Sequence, residues 1–141
     1  MILSKPMLVN DSREVIIRTP KDIVSILYDF YSDLTERENF SVIALDGGHK
    51  VISIRVIAVG TINRTLIHPR EIFRNAIIDN SAAIILCHNH PSGNPNPSSE
   101  DIETTEALKD AGQLVGIEVL DHVIIGDTYY SFCEHELIFD K

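Results

Sequence analysis

The residues best suited to chemistry lie in one stretch of the chain, from Cys87 to Asp101. His88 and His90 follow an apolar run, residues 82–87, which has the length and composition of a buried strand. Side chains two positions apart in a strand point to the same face, so both imidazoles would face one point. Two converging imidazoles supply half of a tetrahedral zinc site.

A carboxylate that could complete this site follows in the next element. Asp101 falls in the first turn of a predicted helix, after a loop, residues 91–97, that holds three of the six prolines. Because proline restricts the loop, less entropy is lost when that turn folds back against the strand end. Two histidines and one carboxylate leave a fourth zinc position for water, which is typical of catalytic rather than structural zinc sites.

Other interpretations of these residues explain less of the pattern. The spacing Ser98-x-x-Asp101 is also a capping box, which needs no metal, but capping does not require two histidines upstream. An HNH nuclease disperses its three residues along the chain. A zinc deaminase needs a later cysteine pair in P-C-x-x-C, and this sequence has no such pair.

The complete pattern H-x-H-x7-S-x2-D resembles the motif of the JAMM metalloproteases, whose domains are called JAB or MPN. The strings HNHPSG and PSSED, with HPREIFRNAI before them and LDHVIIG after them, are similar to the RadC family in particular. The resemblance covers roughly residues 36 to 132. It implies a JAB/MPN-like α/β fold, with a mixed sheet that contains antiparallel hairpins and is flanked by helices.

The resemblance also implies a role for each residue of the motif. His88, His90 and Asp101 would bind Zn²⁺, and Ser98 would hydrogen-bond the oxyanion that develops during hydrolysis. The implied activity is cleavage of a peptide or isopeptide bond, in a protein or peptide substrate, by a zinc-activated water.

The residues leave two candidates for the general base. JAMM enzymes use a glutamate near the start of an early strand, and Glu38, just before the strand that Phe40 begins, matches that position. Glu71 is the competing candidate, and its simpler role is to complement the positive end of its helix. A further acid, Asp121, lies beside His122 at the start of a predicted strand, where it could orient a ligand histidine.

Hydrophobic periodicity predicts the elements that must position these residues, in the order β-α-β-β-α-β-α-β-β. They are strand 14–18, helix 20–34, a strand from residue 40 to a turn at 46–48, strand 51–59, helix 69–80, strand 82–87, helix 98–116, and strands 119–125 and 129–133. We expect a single domain, with residues 1–35 as a lead-in strand and helix and residues 36–141 as the RadC-like domain. RadC-like chains often carry a helix-hairpin-helix region as well, so this chain is a stand-alone member or a fragment.

The charge distribution limits the partners that the chain can bind. Residues 1–74 hold ten basic against nine acidic side chains, whereas residues 75–141 hold two against twelve and account for the net charge of −9. An acidic surface repels phosphate backbones and suits cations, so direct nucleic-acid binding through residues 75–141 is not expected. A non-catalytic DNA-repair accessory or an interaction module stays as the alternative function.

Three further expectations concern the cell and the cysteines. Cys87 and Cys133 are expected to be free thiols, because a chain of 141 residues needs no disulfide for its size. No apolar run is long enough to cross a membrane, and the N-terminal apolar stretch is too short for a signal peptide. A cytoplasmic location is the default, and the oligomeric state is left open.

Overall fold

The structure is a computed structural model that describes residues 14–31, 34–60 and 67–139, together with the backbone of residues 2–8. Within these ranges, six strands and three helices follow one another in the predicted order of element types. They are β1 (Ile2–Leu8), α1 (Pro20–Phe30), β2 (Asn39–Leu45), β3 (Val51–Val59), α2 (Pro69–Ile78), β4 (Ala83–Asn89), α3 (Ser99–Val115), β5 (Glu118–Ile125) and β6 (Tyr129–Ser131).

The strands form one mixed sheet in the order β1-β3-β2-β4-β5-β6. Every residue of β4 is buried, as expected of a strand that is covered on both faces. β4 pairs in parallel with β5, and the crossover helix α3 connects the two strands. All other neighbouring strands pair antiparallel. The α/β class and the antiparallel hairpins that the sequence predicted are therefore confirmed.

Helices cover both faces of this sheet, which divides the buried apolar residues into two cores. On one face, Phe73 of α2 and Leu108 of α3 pack against strand residues such as Leu86. On the other face, Leu27 of α1 packs with Ile85. The alternation of Ile85 and Leu86 between the two cores follows from the period of two in a strand.

The N-terminal part of the prediction is wrong. Residues 14–18 form no strand and make only an isolated bridge between Ile16 and Lys50, because Thr19 and Pro20 begin α1 directly afterwards. The first strand is β1, which pairs with β3 at the edge of the sheet. The Ser-Lys-Pro segment in its middle interrupts the run of apolar residues that would predict a strand. A proline is nevertheless tolerated on an edge strand.

Other boundaries differ by a few residues. α1 ends at Phe30 rather than at residue 34, because Tyr31 adopts an extended conformation and its hydroxyl hydrogen-bonds Ser41 on β2. Residues 32–33 of the predicted helix lie outside the described part of the chain. β4 continues to Asn89, so that His88 belongs to the strand itself.

Both cysteines are free thiols, as predicted, with Cys87 buried and Cys133 half-buried. Burial raises the pKa of the Cys87 thiol, which keeps this side chain neutral in its core. Within the described ranges, none of the helices is long and apolar enough to cross a membrane.

Candidate metal centre

The end of β4 carries two histidines to the same side of the sheet. The side chain of His88 is 1% exposed, and that of His90, directly after the strand, is 17% exposed. The His90 N–H donates to the carbonyl of Ile125 at 2.8 Å, so pairing with β5 continues past the strand end. The two imidazole centroids are 4.7 Å apart, whereas Cys87 packs in the opposite core. The face predicted from the period of two is therefore correct.

Asp101 reaches these histidines because the capping box of α3 holds it there. Ser98 Oγ accepts from the Asp101 N–H at 3.1 Å, and Asp101 Oδ2 accepts from the Ser98 N–H at 2.8 Å. The same carboxylate places Oδ1 at 3.3 Å from His88 Nε2 and Oδ2 at 3.2 Å from His90 Nε2. The capping and metal-binding interpretations of Asp101 are therefore compatible, because the capping box orients the carboxylate toward the histidines.

The distances between these atoms suit a small divalent ion. The two Nε2 atoms are 2.9 Å apart, close to their separations from the Asp101 oxygens. A tetrahedral ion with bonds of about 2.0–2.1 Å holds its ligand atoms about 3.3 Å apart. Unprotonated ring nitrogens and a carboxylate repel one another at such separations unless a proton or a cation lies among them. The chemistry of this donor set therefore fits zinc.

Glu38 joins the cluster from a distant part of the chain. It directly precedes β2, whose register with β4 places Phe40 opposite His88. Its Oε1 lies 3.8 Å from His88 Nε2, and its side chain is 25% exposed. Among the described residues, Glu38, His88 and His90 form a group whose candidate ligand atoms all lie within 4.8 Å of one another. Glu71 lies in the first turn of α2.

Asn89, between the two histidines, fastens the segment that carries Glu38. Its Nδ2 donates to the carbonyls of Leu34 at 2.7 Å and Arg37 at 2.8 Å. Its Oδ1 accepts from the N–H of Asn39 at 2.7 Å. Arg37 and Asn39 are the direct neighbours of Glu38, so this buried amide fixes the backbone on both sides of it. No local pattern in the sequence indicates this role of Asn89.

Hydrogen bonds within the cluster set its charges. Burial opposes ionisation of Asp101, but the neighbouring imidazoles of His88 and His90 outweigh burial and hold the pKa of Asp101 far below its usual range. The hydrogen bond with Asp101 raises the pKa of His90, against the opposing effect of burial. Because a proton on His90 competes with a metal ion for the ring nitrogen, metal binding here should weaken as the pH falls.

The Nδ1 atom of each histidine also has a partner. His90 Nδ1 lies 2.9 Å from the carbonyl of Asn94, which can only accept, so Nδ1 carries the proton and Nε2 faces the cluster. His88 Nδ1 lies 2.7 Å from Nε2 of His122 on β5. Burial lowers the pKa of His122 well below that of a free histidine. The only sequence signal for His122 was a histidine inside an apolar strand.

The suggested role of Asp121 in orienting a ligand histidine is not what the structure shows. Its carboxylate accepts from the N–H groups of His122 and Cys133, at 2.7 Å and 2.9 Å, and from the hydroxyl of Ser131 at 2.6 Å. These bonds fasten the turns after β6 to β5. The neighbouring imidazole of His122, and not this carboxylate, contacts His88.

The carbonyl of Asn94 is positioned by close backbone packing. A methyl group at Gly126, in the turn after β5, would lie 2.2 Å from the oxygen of Gly93. The N–H of Asp127 donates to that same oxygen at 2.6 Å. Gly93 itself has a positive φ of 94°, which favours glycine. The turn after β5 therefore holds the 91–97 loop close to His90.

The chain is similar in sequence to known proteins. The chain matches the family model of the RadC-like JAB domain over residues 17–137. It is 53% identical over 115 residues to a UPF0758 protein of Desulfitobacterium hafniense, covering 82% of this chain and 50% of the relative. A UPF0758 protein of Staphylococcus haemolyticus is 48% identical over 139 residues, which is 98% of this chain and 60% of that protein.

A third relative, a UPF0758 protein of Methanococcoides burtonii, is 45% identical over 120 residues, or 85% of this chain and 52% of the relative. The chain thus spans about half the length of the curated relatives that it matches. The fold and the family match define the chain as a JAB-domain protein, in which the candidate metal site lies at the end of a central strand. The chain belongs to the RadC-like JAB domain family, as its motif predicted.

Proposed function

We propose that this chain is a zinc-dependent hydrolase that cleaves a peptide or isopeptide bond in a protein or peptide substrate. The observation that carries the proposal is the convergence of Glu38, His88, His90 and Asp101 at the end of β4. Histidine nitrogens and carboxylate oxygens are ligands that zinc prefers, and three of them leave a position open. The resemblance to JAMM metalloproteases supplies the reaction class.

Each residue of the cluster would have a separate role in the reaction. His88, His90 and Asp101 would hold zinc, which when bound would lower the pKa of a water toward about 7 and polarise a substrate carbonyl. Glu38 takes the proton of the attacking water and later delivers it to the departing amine. Ser98 accepts from the Asp101 N–H, so its own hydroxyl proton can be donated to the developing oxyanion.

The role of Glu38 can be separated from that of a metal ligand by one substitution. Glu38→Gln should keep zinc binding and lose hydrolysis, because the amide cannot accept the proton although the three ligands are intact. The matched control is Glu71→Gln on α2, which should retain both properties. Zinc content and the cleavage rate of the two variants provide the comparison. If Glu71→Gln loses hydrolysis and Glu38→Gln does not, Glu38 is not the general base.

The activity itself is tested with a panel of peptide and isopeptide substrates, with and without a chelator. We expect about one zinc ion per chain, and cleavage that the chelator abolishes and added zinc restores. Failure of the purified protein to bind added zinc would overturn the metal centre. Zinc binding without cleavage of any substrate would favour the alternative, a non-catalytic DNA-processing accessory or interaction module.

A further inference from the structure

Three short hydrogen bonds run through buried side chains from one proposed metal ligand to another. His88 Nδ1 lies 2.7 Å from His122 Nε2, and His122 Nδ1 lies 2.5 Å from Thr105 Oγ1. The hydroxyl of Thr105 donates to the backbone carbonyl of Asp101 at 2.6 Å. The series therefore begins at the ring of His88 on β4, crosses β5 and ends at α3.

The carbonyl at the end of this series determines the direction of every bond in it. A carbonyl oxygen can only accept, so the single hydroxyl proton of Thr105 lies toward Asp101. Thr105 Oγ1 must then accept from His122 Nδ1–H. A neutral His122 with its proton on Nδ1 has only an acceptor at Nε2, so His88 Nδ1 must be the donor. A neutral His88 that donates through Nδ1 has its lone pair on Nε2, which faces His90 and Asp101.

The surroundings of the two inner residues support this order. His122 is 1% exposed, and Thr105 is fully buried. The ring of Phe132 stacks on His122, with centroids 4.8 Å apart and planes 12° apart, and Phe40 presents its ring at 5.7 Å. These apolar surroundings disfavour a charged imidazolium at His122. They also exclude water molecules that could exchange the donor and acceptor roles of its two ring nitrogens.

We propose that Thr105 and His122 are positioning residues, which fix His88 in the tautomer whose Nε2 lone pair faces the metal. The direction of their hydrogen bonds is set by the backbone carbonyl of Asp101, so two ligands from different elements are held by one series of bonds. The contribution of this hydrogen-bond series to catalysis rests on the proposed function. The tautomer of His122 is independent of that function, because it follows from hydrogen bonds between protein atoms alone.

The tautomer can be measured in the metal-free protein by long-range ¹H–¹⁵N correlation of the histidine rings. We expect His122 to carry its proton on Nδ1 and an unprotonated Nε2, although a free imidazole side chain prefers the reverse. The exposed His68 provides a reference ring in the same spectrum. A proton on Nε2 of His122 would overturn the proposal, whatever the protein does with zinc.

Two substitutions of Thr105 test whether the series matters for metal binding. Thr105→Val keeps the volume but removes the acceptor for His122 Nδ1–H, so His122 should change its tautomer and zinc affinity should fall about tenfold. Thr105→Ser keeps the hydroxyl and should retain both the tautomer and the affinity. Competition with a chelator of known affinity measures the zinc affinity, and the ring ¹⁵N spectrum measures the tautomer.

The outcomes separate this inference from the proposed function. If the native chain binds no zinc, the proposed function is wrong. The ring ¹⁵N spectrum then still shows whether His122 carries its proton on Nδ1, and so tests the direction of the hydrogen bonds. If the native chain and both variants bind zinc equally, the positioning role is wrong and the metal centre stands. Should Thr105→Val fail to fold, Thr105→Ser and the native spectrum decide: loss of the Nδ1-protonated tautomer in Thr105→Ser contradicts the proposal.

Discussion

Each of the three oxygen atoms of Asp101 contacts a group in the metal-site cluster or next to it. Oδ1 faces His88, Oδ2 faces His90 and accepts from the Ser98 N–H, and the backbone oxygen accepts from Thr105. One residue therefore caps a helix, offers a ligand and terminates a series of hydrogen bonds. A substitution at this position changes several interactions, so its effects must be compared with those of a variant that changes fewer.

Ser98→Ala provides that comparison for Asp101→Ala. Both variants lose part of the capping box, so each should lower the free energy of unfolding by about 1 kcal/mol. Only Asp101→Ala should lose zinc, because only it removes a ligand. Ser98→Ala should bind zinc and lose about 10²–10³ in cleavage rate through the missing oxyanion donor.

Chemical denaturation and zinc analysis of the two purified variants check this prediction. Retention of tight zinc binding by Asp101→Ala would show that Glu38 and the histidines suffice as ligands. A normal cleavage rate in Ser98→Ala would remove Ser98 from the reaction.

At the scale of elements, the site depends on loops that are held against strands. The 91–97 loop packs on the turn after β5 so closely that Gly126 has no room for a side chain. The segment before β2 is tied to β4 by the amide of Asn89. The Asn89 bonds join the segment that carries Glu38 to the strand that carries His88, and the Gly126 contact holds the loop that follows His90. Secondary structure alone therefore does not assemble the cluster.

Gly126→Ala should weaken zinc binding by about tenfold. The added methyl group would lie 2.2 Å from the Gly93 oxygen and must displace the loop whose Asn94 carbonyl orients His90. Gly47→Ala is the matched control, because a methyl group there meets nothing within 4 Å. Zinc titrations of the two variants should differ, and equal affinities would mean that the loop does not position His90.

Asn89→Asp should lower both the stability and the activity of the protein. A carboxylate has no N–H to donate, so the carbonyls of Leu34 and Arg37 lose their buried partner, at a cost of about 1–3 kcal/mol for each unsatisfied group. Because the lost bonds bracket Glu38, the cleavage rate should fall by a larger factor than the zinc affinity.

Asn75→Asp is a suitable control for this variant, since Asn75 is also buried but lies on α2, where it donates to the Glu71 carbonyl. It should lose stability and keep the cleavage rate per folded molecule. Denaturation curves and cleavage assays measure the two quantities. An equal loss of cleavage in both variants would contradict the assigned role of Asn89.

A polar cluster links the end of α2 to β3. Arg55 on β3 donates to both oxygens of Asp79, at 2.8 Å and 2.6 Å, and the Ser53 hydroxyl adds a bond of 2.6 Å. Both ionic side chains are largely buried, at 13% and 10% exposure. The hydrogen bonds from Arg55 lower the pKa of Asp79, against the opposing effect of burial.

This lowered pKa makes the stability of the molecule depend on pH with a defined sign. Asp79 stabilises the folded state when it is ionised, so its contribution is present above the unfolded-state pKa of about 3.9 and is lost as the pH falls through the lower folded-state value. Asp79→Asn should therefore be less stable than the native chain by about 1.5–3 kcal/mol at pH 7. The difference should shrink below about pH 4. Denaturation at several pH values measures it, and a constant difference down to pH 3 would contradict the assignment.

The predictable part of the fold consists of strongly periodic segments. The buried β4, the Asp-Gly-Gly turn and the proline-started helices α1 and α2 all follow from local sequence, because burial and backbone preference act over a few residues. β1 was missed because its pairing with β3 depends on a strand about fifty residues away rather than on its own pattern. Pro6 does not prevent strand formation because β1 lies at the edge of the sheet, where a residue without an N–H is tolerated.

For the candidate site, the sequence alone determined the residues whose spacing is local. His88 and His90 share a face because a strand repeats every two residues, and Asp101 follows Ser98 in a capping box. Only the tertiary structure decided which distant groups meet them. Glu38, Thr105 and His122 reach the cluster through strand pairing and helix packing, and these contacts depend on the register between elements that no short pattern encodes.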